Sequence, residues 1–134
     1  MKTAKHKIRE PNWQLLTEKA KRGDVAVIQL HGLDEKYVAL VDKKYMSEVR
    51  NHRWYVDQMG GCRHARRRFR IRAGSGATFI HRQTLEKFVQ ALSGKQHNGD
   101  IAFRNNETLD CTKENLVLID GDAKLSLADK ELFA

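Results

Sequence analysis

"CRHARRRFRIRAGSGATFIHRQTLEKFVQALSG", residues 62–94, lays out a strand, a turn, a second strand and a helix in one run. Six arginines occupy the ten positions 63–72. If this stretch is extended, alternation puts Arg66, Arg68, Arg70 and Arg72 on one face. Arg67, Phe69 and Ile71 then point to the other, where Phe69 and Ile71 are expected to be buried and Arg67 to sit at an edge with its stem along apolar surface. Gly74-Ser75-Gly76 is competent for a hairpin, and "ATFIH" (77–81) reads as the returning strand. From Arg82 the period changes. Leu85, Phe88, Val89 and Leu92 stand at i, i+3, i+4 and i+7, which predicts an amphipathic helix over 82–94 closed by Gly94.

Upstream, the single proline, Pro11, opens a helix-competent "NWQLLTEKAKRG" in which Trp13, Leu16 and Ala20 share a face. "DVAVIQL" (24–30) and "KYVALV" (36–41) are β-rich, with a turn from His31 to Glu35 between them. Asp42 is placed to cap a short helix in "KKYMSEVRNH", turning Tyr45, Met46 and Val49 inward. "RWYVDQ" (53–58) is a further strand, joined to the arginine segment through Met59-Gly60-Gly61. Downstream, "DIAF" and "LVLI" are short strands separated by the polar "RNNETLDCTKEN". The expected fold class is α+β, short antiparallel strands with few helices. The expected organisation is a basic arm and helix over 1–23, one domain over 24–119 and a mildly acidic tail over 120–134.

With 134 residues, 40% of them hydrophobic and 31% charged, the chain suits one globular domain. No apolar run is long enough for a membrane helix, and "MKTAKHKIREPNW" lacks the apolar stretch of a signal peptide. Cytoplasmic residence in a bacterial host cell, or association with its nucleoid, is the expectation. There Cys62 and Cys111 would stay reduced. A zinc site assembled from Cys62, His64, His81, His97 and Cys111 lacks the usual close ligand pair.

The net charge is +8, and its excess lies in the N-terminal arm and in residues 63–72. Four like charges on one strand face repel one another unless an anion offsets them. At about 3.3 Å per residue, Arg66 to Arg72 spans roughly 20 Å, the scale of several phosphates along a duplex. Double-stranded DNA is therefore the expected partner. Arg63, Arg82 and the N-terminal lysines would support the contact, with Trp54, Tyr55 and His64 at the core and rim of the same hairpin. Four neutralised phosphates imply a log–log salt slope of about −3.6. An acidic protein is the other partner class such a face suits; a membrane is not expected.

"FIHRQTLEKF" (79–88), a spacer, and "NNETLDCTKENLVL" (105–118) together resemble the HNH endonucleases of phages and mobile introns. In these a strand ending in His-Arg precedes a helix and a segment of the form D-H-x-N-G-D-x-x-D-N-R-x-x-N-L. "KYVALVDKKYMSEVRNHRWYVDQMGGCRHARR" (36–67) is similar to the small unit preceding the motif in many members, so the resemblance spans about 36–119. It implies a ββα unit gripping one divalent metal, often Mg2+ or Mn2+. The histidine of the D-H pair would activate water, and the aspartate before it would share the ion with a residue of the closing helix.

Several of those positions hold residues unable to do this. Aligned on "TLD…ENL", Asp110 and Asn115 match the motif, and Asn105, Asn106 and Glu107 take the N-G-D places. Ala102 and Phe103 stand at the D-H pair, Cys111 at the asparagine of D-N-R, and Lys124 at the closing-helix ligand. The resemblance thus implies a degenerate HNH-like unit without a catalytic residue or metal, in which Asp110 and Asn115 survive to close a loop by binding backbone N–H groups. A phage or prophage regulator or accessory factor would fit. The alternative is an active nuclease that shifts "QHNGD" (96–100) into register. It would use His81 or His97 with Asp100 or Asp110 and a divalent ion.

Overall fold

A computed structural model of the chain describes residues 8–94, 99–120 and 123–127. Helix α1 (Trp13–Ala20) starts where Asn12 turns extended and its Oδ1 accepts the Leu15 N–H at 3.1 Å. The Asn12 N–H in turn donates to the Glu107 carboxylate at 2.7 Å, so this helix start is capped from far along the chain. Strands β1 (Val25–Gln29) and β2 (Val38–Asp42) pair antiparallel, with Val25 opposite Asp42 and Gln29 opposite Val38. The following segment opens as a 3-10 turn (Lys43–Tyr45) before the short helix α2 (Met46–Val49). Asp42 does not cap it by side chain; its Oδ1 accepts the Lys113 N–H at 2.7 Å instead.

Strands β3 (Tyr55–Met59), β4 (Cys62–Arg72) and β5 (Thr78–Thr84) form an antiparallel sheet in the order β3-β4-β5. Helix α3 (Leu85–Leu92) buries Leu85 and Val89, with Phe88 and Leu92 packed partly against the core, as its spacing required. It begins three residues later than expected, because Arg82, Gln83 and Thr84 pair with Arg68, Arg67 and Arg66 and the sheet ladder holds them extended. Gly94, at φ +81°, closes it.

Strands β6 (Ile101–Phe103), β7 (Leu116–Asp120) and β8 (Ala123–Ser126) make a second antiparallel sheet, and β8 lies at its edge. The domain therefore runs past residue 119: β8 pairs with β7, and Leu127 is fully buried. Nor is α1 part of a separate arm, since Leu16 lies in the core and the Trp13 ring sits 5.4 Å from that of Tyr37.

One core joins these layers. Trp54, 1% exposed, donates its indole N–H to the Val49 carbonyl at 2.9 Å and packs edge-on to Phe88. Leu40 exchanges backbone bonds with Leu109 and Cys111, which docks the 104–115 loop onto β2. The α+β class follows from the antiparallel pairings and the three α-helices among the described residues. Among the described residues, no helix is long and apolar enough to cross a membrane.

Candidate nucleic-acid interface

β3 covers only the first part of β4, from Cys62 to Arg66. Beyond it, β4 and β5 continue alone as a two-stranded ribbon to the turn at Gly74–Gly76, where Gly76 takes φ +91°. Cross-strand partners in an antiparallel pair share a face. One face of the ribbon therefore carries Arg68 with Arg82, Arg70 with Ile80 and Arg72 with Thr78; the other carries Phe69 with His81 and Ile71 with Phe79.

The arginines divide into two groups by their partners. Arg63 reaches the Glu10 carboxylate at 3.1 Å and lies over the Tyr37 ring. The Tyr37 hydroxyl and the Arg63 guanidinium together hold Glu10 below the usual carboxylate range. Arg66 binds Asp57 at 2.5 Å, and its side chain is only 23% exposed. Both were expected to face DNA, and both instead have a carboxylate of their own. Arg68 stacks on Tyr55, with its guanidinium carbon 4.6 Å from the ring centroid. Among the described residues, no carboxylate pairs with Arg68, Arg70, Arg72 or Arg82. A second charge cluster is self-compensated: Arg22 and Lys19 surround Glu114 and depress its carboxyl to about 2.

The opposite face departs from expectation. Phe69 is half-buried, stacked on His81 at 5.8 Å and covered by Arg67, which also lies over Phe88 and donates to Gln83 Oε1 at 2.9 Å. Ile71 and Phe79 are 41% and 53% exposed. Among the described residues, no strand or helix covers this end of the ribbon, where β3 no longer pairs with β4. Of the aromatic candidates, Trp54 is core, while His64 packs edge-on to Phe103. Only Tyr55, beneath Arg68 and 6.0 Å from the His31 ring, adjoins the arginine face.

The residues matched to the HNH motif are used internally. Asp110 is fully buried; Oδ1 accepts the Thr112 hydroxyl at 2.7 Å, and Oδ2 accepts Lys19 Nζ at 2.7 Å and Asn105 Nδ2 at 2.9 Å. Asn115 donates to the Asp110 carbonyl at 2.8 Å and accepts the Asn105 N–H at 2.9 Å, clamping both ends of the loop. Phe103 is half-buried on β6, and Lys124 lies on β8, where a ββα unit would have its helix. Asp100 is exposed, and His81 lies exposed on the ribbon. His97 and the N-terminal lysines fall outside the described residues. Among those described, no three of His, Cys, Asp and Glu are grouped to hold a metal. Cys111 is fully buried with its thiol pKa pushed up by desolvation, and Cys62 is half-buried on β4. Comparison with family models, curated proteins and solved structures returned no match. The HNH resemblance accordingly rests on its own motifs.

One polar cluster had no signature in the sequence. Glu86, on α3, is 8% exposed, and its Oε2 lies 3.9 Å from His64 Nδ1 on β4. Glu86 Oε1, His64 Nδ1 and Arg66 Nε are buried with no hydrogen-bond partner among the described residues. Desolvation raises the Glu86 pKa and lowers that of His64. A carboxyl whose folded pKa is raised keeps its proton to a higher pH in the native state than in the unfolded chain, so its cost is absent below the ordinary value and fully developed above the raised one. Glu86→Gln is thus expected to raise Tm at pH 8 and leave it unchanged near pH 4, measured by thermal scans at both values.

Proposed function

We propose that this protein binds double-stranded DNA through the arginine face of the β4–β5 ribbon and does not cut it. The observation that carries this reading is a set of four arginines, Arg68, Arg70, Arg72 and Arg82, on one face of a projecting ribbon. No acidic side chain offsets them among the described residues. Like charges so close together are costly in the free protein, and phosphates relieve that cost while releasing condensed counterions. Arg82 replaces Arg66 in the expected set, and the count stays at four. Binding without cleavage is supported by Ala102 and Phe103 at the places of the metal-binding and basic residues, and by the bonds that occupy Asp110. The degenerate HNH resemblance supplies the descent, and with it a phage or prophage accessory or regulatory role.

The test is fluorescence anisotropy with a random 30-base-pair duplex across a salt series. The expected slope of log K against log salt is about −3.6; a slope near zero refutes the reading and leaves the basic face to an acidic protein. Supercoiled plasmid with Mg2+ or Mn2+ is expected to remain intact. Nicking that disappears in His97→Ala would make the protein an active nuclease instead.

A further inference from the structure

The arginine face of the ribbon is interrupted by one apolar residue. Ile80 lies on it directly opposite Arg70, in the middle of the three cross-strand pairs, with Arg68/Arg82 on one side and Arg72/Thr78 on the other. At 59% exposure it is the most exposed large hydrophobic among the described residues. Phosphate oxygens offer an isoleucine nothing, so a face that served only the backbone would gain by having a polar residue here. Its match in a nucleic acid is an apolar group accessible from a groove, and the one that B-DNA presents is the thymine 5-methyl, on the major-groove edge.

The dimensions suit the same groove. Two paired strands lie about 4.8 Å apart, and the major groove, about 12 Å wide, admits such a ribbon together with its side chains. Side-chain length separates the roles. Isoleucine is short and touches only what lies directly beneath the ribbon, while the four arginines are long enough to extend past it to the phosphates of the groove walls.

Resting on the DNA-binding reading above, we infer that the β4–β5 ribbon lies in the major groove with Ile80 against a thymine methyl. The protein then discriminates A·T from other pairs at the position under Ile80, by a contact that carries no charge. B-form DNA is required, because the A-form major groove of duplex RNA is too deep and narrow for side chains to read.

The test compares, by anisotropy at fixed salt, a 20-base-pair A·T-rich DNA duplex with the same duplex carrying deoxyuridine for thymidine. The RNA duplex and the single DNA strand of that sequence complete the set. The thymine duplex is expected to bind about fourfold tighter than the uracil duplex, the equivalent of one buried methyl at about 0.8 kcal/mol. Both should bind tighter than the RNA duplex or the single strand. Ile80→Ser should abolish the thymine preference without changing the salt slope, and Phe79→Ser, on the opposite face, should retain both. Equal affinity for thymine and uracil duplexes, with the salt slope intact, overturns the inference and leaves the DNA-binding reading standing. Preference for the RNA duplex or the single strand overturns it too. Salt-insensitive binding to every probe removes the DNA-binding reading itself. The thymine–uracil comparison needs no variant, so the outcome does not depend on how Ile80→Ser folds.

Discussion

Replacing Arg70, Arg72 and Arg82 together with alanine is expected to flatten the salt slope from about −3.6 to about −0.9, leaving one phosphate contact of four. Between 50 and 200 mM salt the unmodified protein should lose about 150-fold in affinity, and the triple variant only about 3.5-fold. The two titrations therefore converge at high salt and diverge widely at low salt, which a nonspecific loss of active protein would not reproduce. All three side chains are exposed, so stability should change by no more than about 0.5 kcal/mol, and removing like charges favours the variant. Arg63→Ala and Arg66→Ala give the contrast. Each of these guanidiniums already has a carboxylate, Glu10 or Asp57, so the slope should stay near −3.6. A triple variant with an unchanged slope would show that the ribbon is not where phosphates bind.

That contrast also marks what the sequence made legible. Alternation alone gave the two faces of β4, and the 3.6-residue period gave the buried side of α3, because both are properties of neighbouring residues. The turn at Gly74–Gly76 followed from its composition. Partners brought from elsewhere were not legible: Glu10 is 53 residues from Arg63 in sequence, and Asp57 meets Arg66 across a hairpin. Without them, Arg66 looked equivalent to Arg68, Arg70 and Arg72, and Arg63 looked free to support them. The same blindness to context misjudged Ile71, whose apolar character says "buried" although none of the described elements covers its face. Residues 120–134 looked like a tail because their charges are mixed; β8 forms there because β7 offers a free edge. The His64–Glu86 pair could not be found, since burial of a charge leaves no local pattern. The loop contacts of Asp110 and Asn115 join residues near in sequence, whereas the Lys19 ammonium that Asp110 also holds comes from 91 residues away and left no local pattern.

Asp110→Ala is expected to cost about 3–5 kcal/mol, since it leaves a buried cation short of its partner. The carboxylate is fully buried and accepts from Lys19, Asn105 and Thr112. Alanine keeps the backbone carbonyl that Asn115 uses but leaves the Lys19 ammonium, 12% exposed, with Glu114 at 3.1 Å as its one carboxylate among the described residues. In a chain of this size the penalty should appear as a fall in Tm on the order of 10–20 °C. Urea titration should show a lower midpoint with little change in slope. Converting Lys19 to methionine in the same chain should recover part of the loss, because an uncharged side chain of similar length needs no counter-charge. A metal ligand would behave differently: its removal would relieve carboxylate desolvation, leave the metal-free protein as stable or more so, and cancel any rise in Tm produced by Mg2+ or Mn2+. A stable Asp110→Ala protein that had lost a metal-induced shift would therefore return Asp110 to the chemistry its motif position suggests. An unstable one, indifferent to metal and rescued by Lys19→Met, assigns it to holding the 104–115 loop against α1.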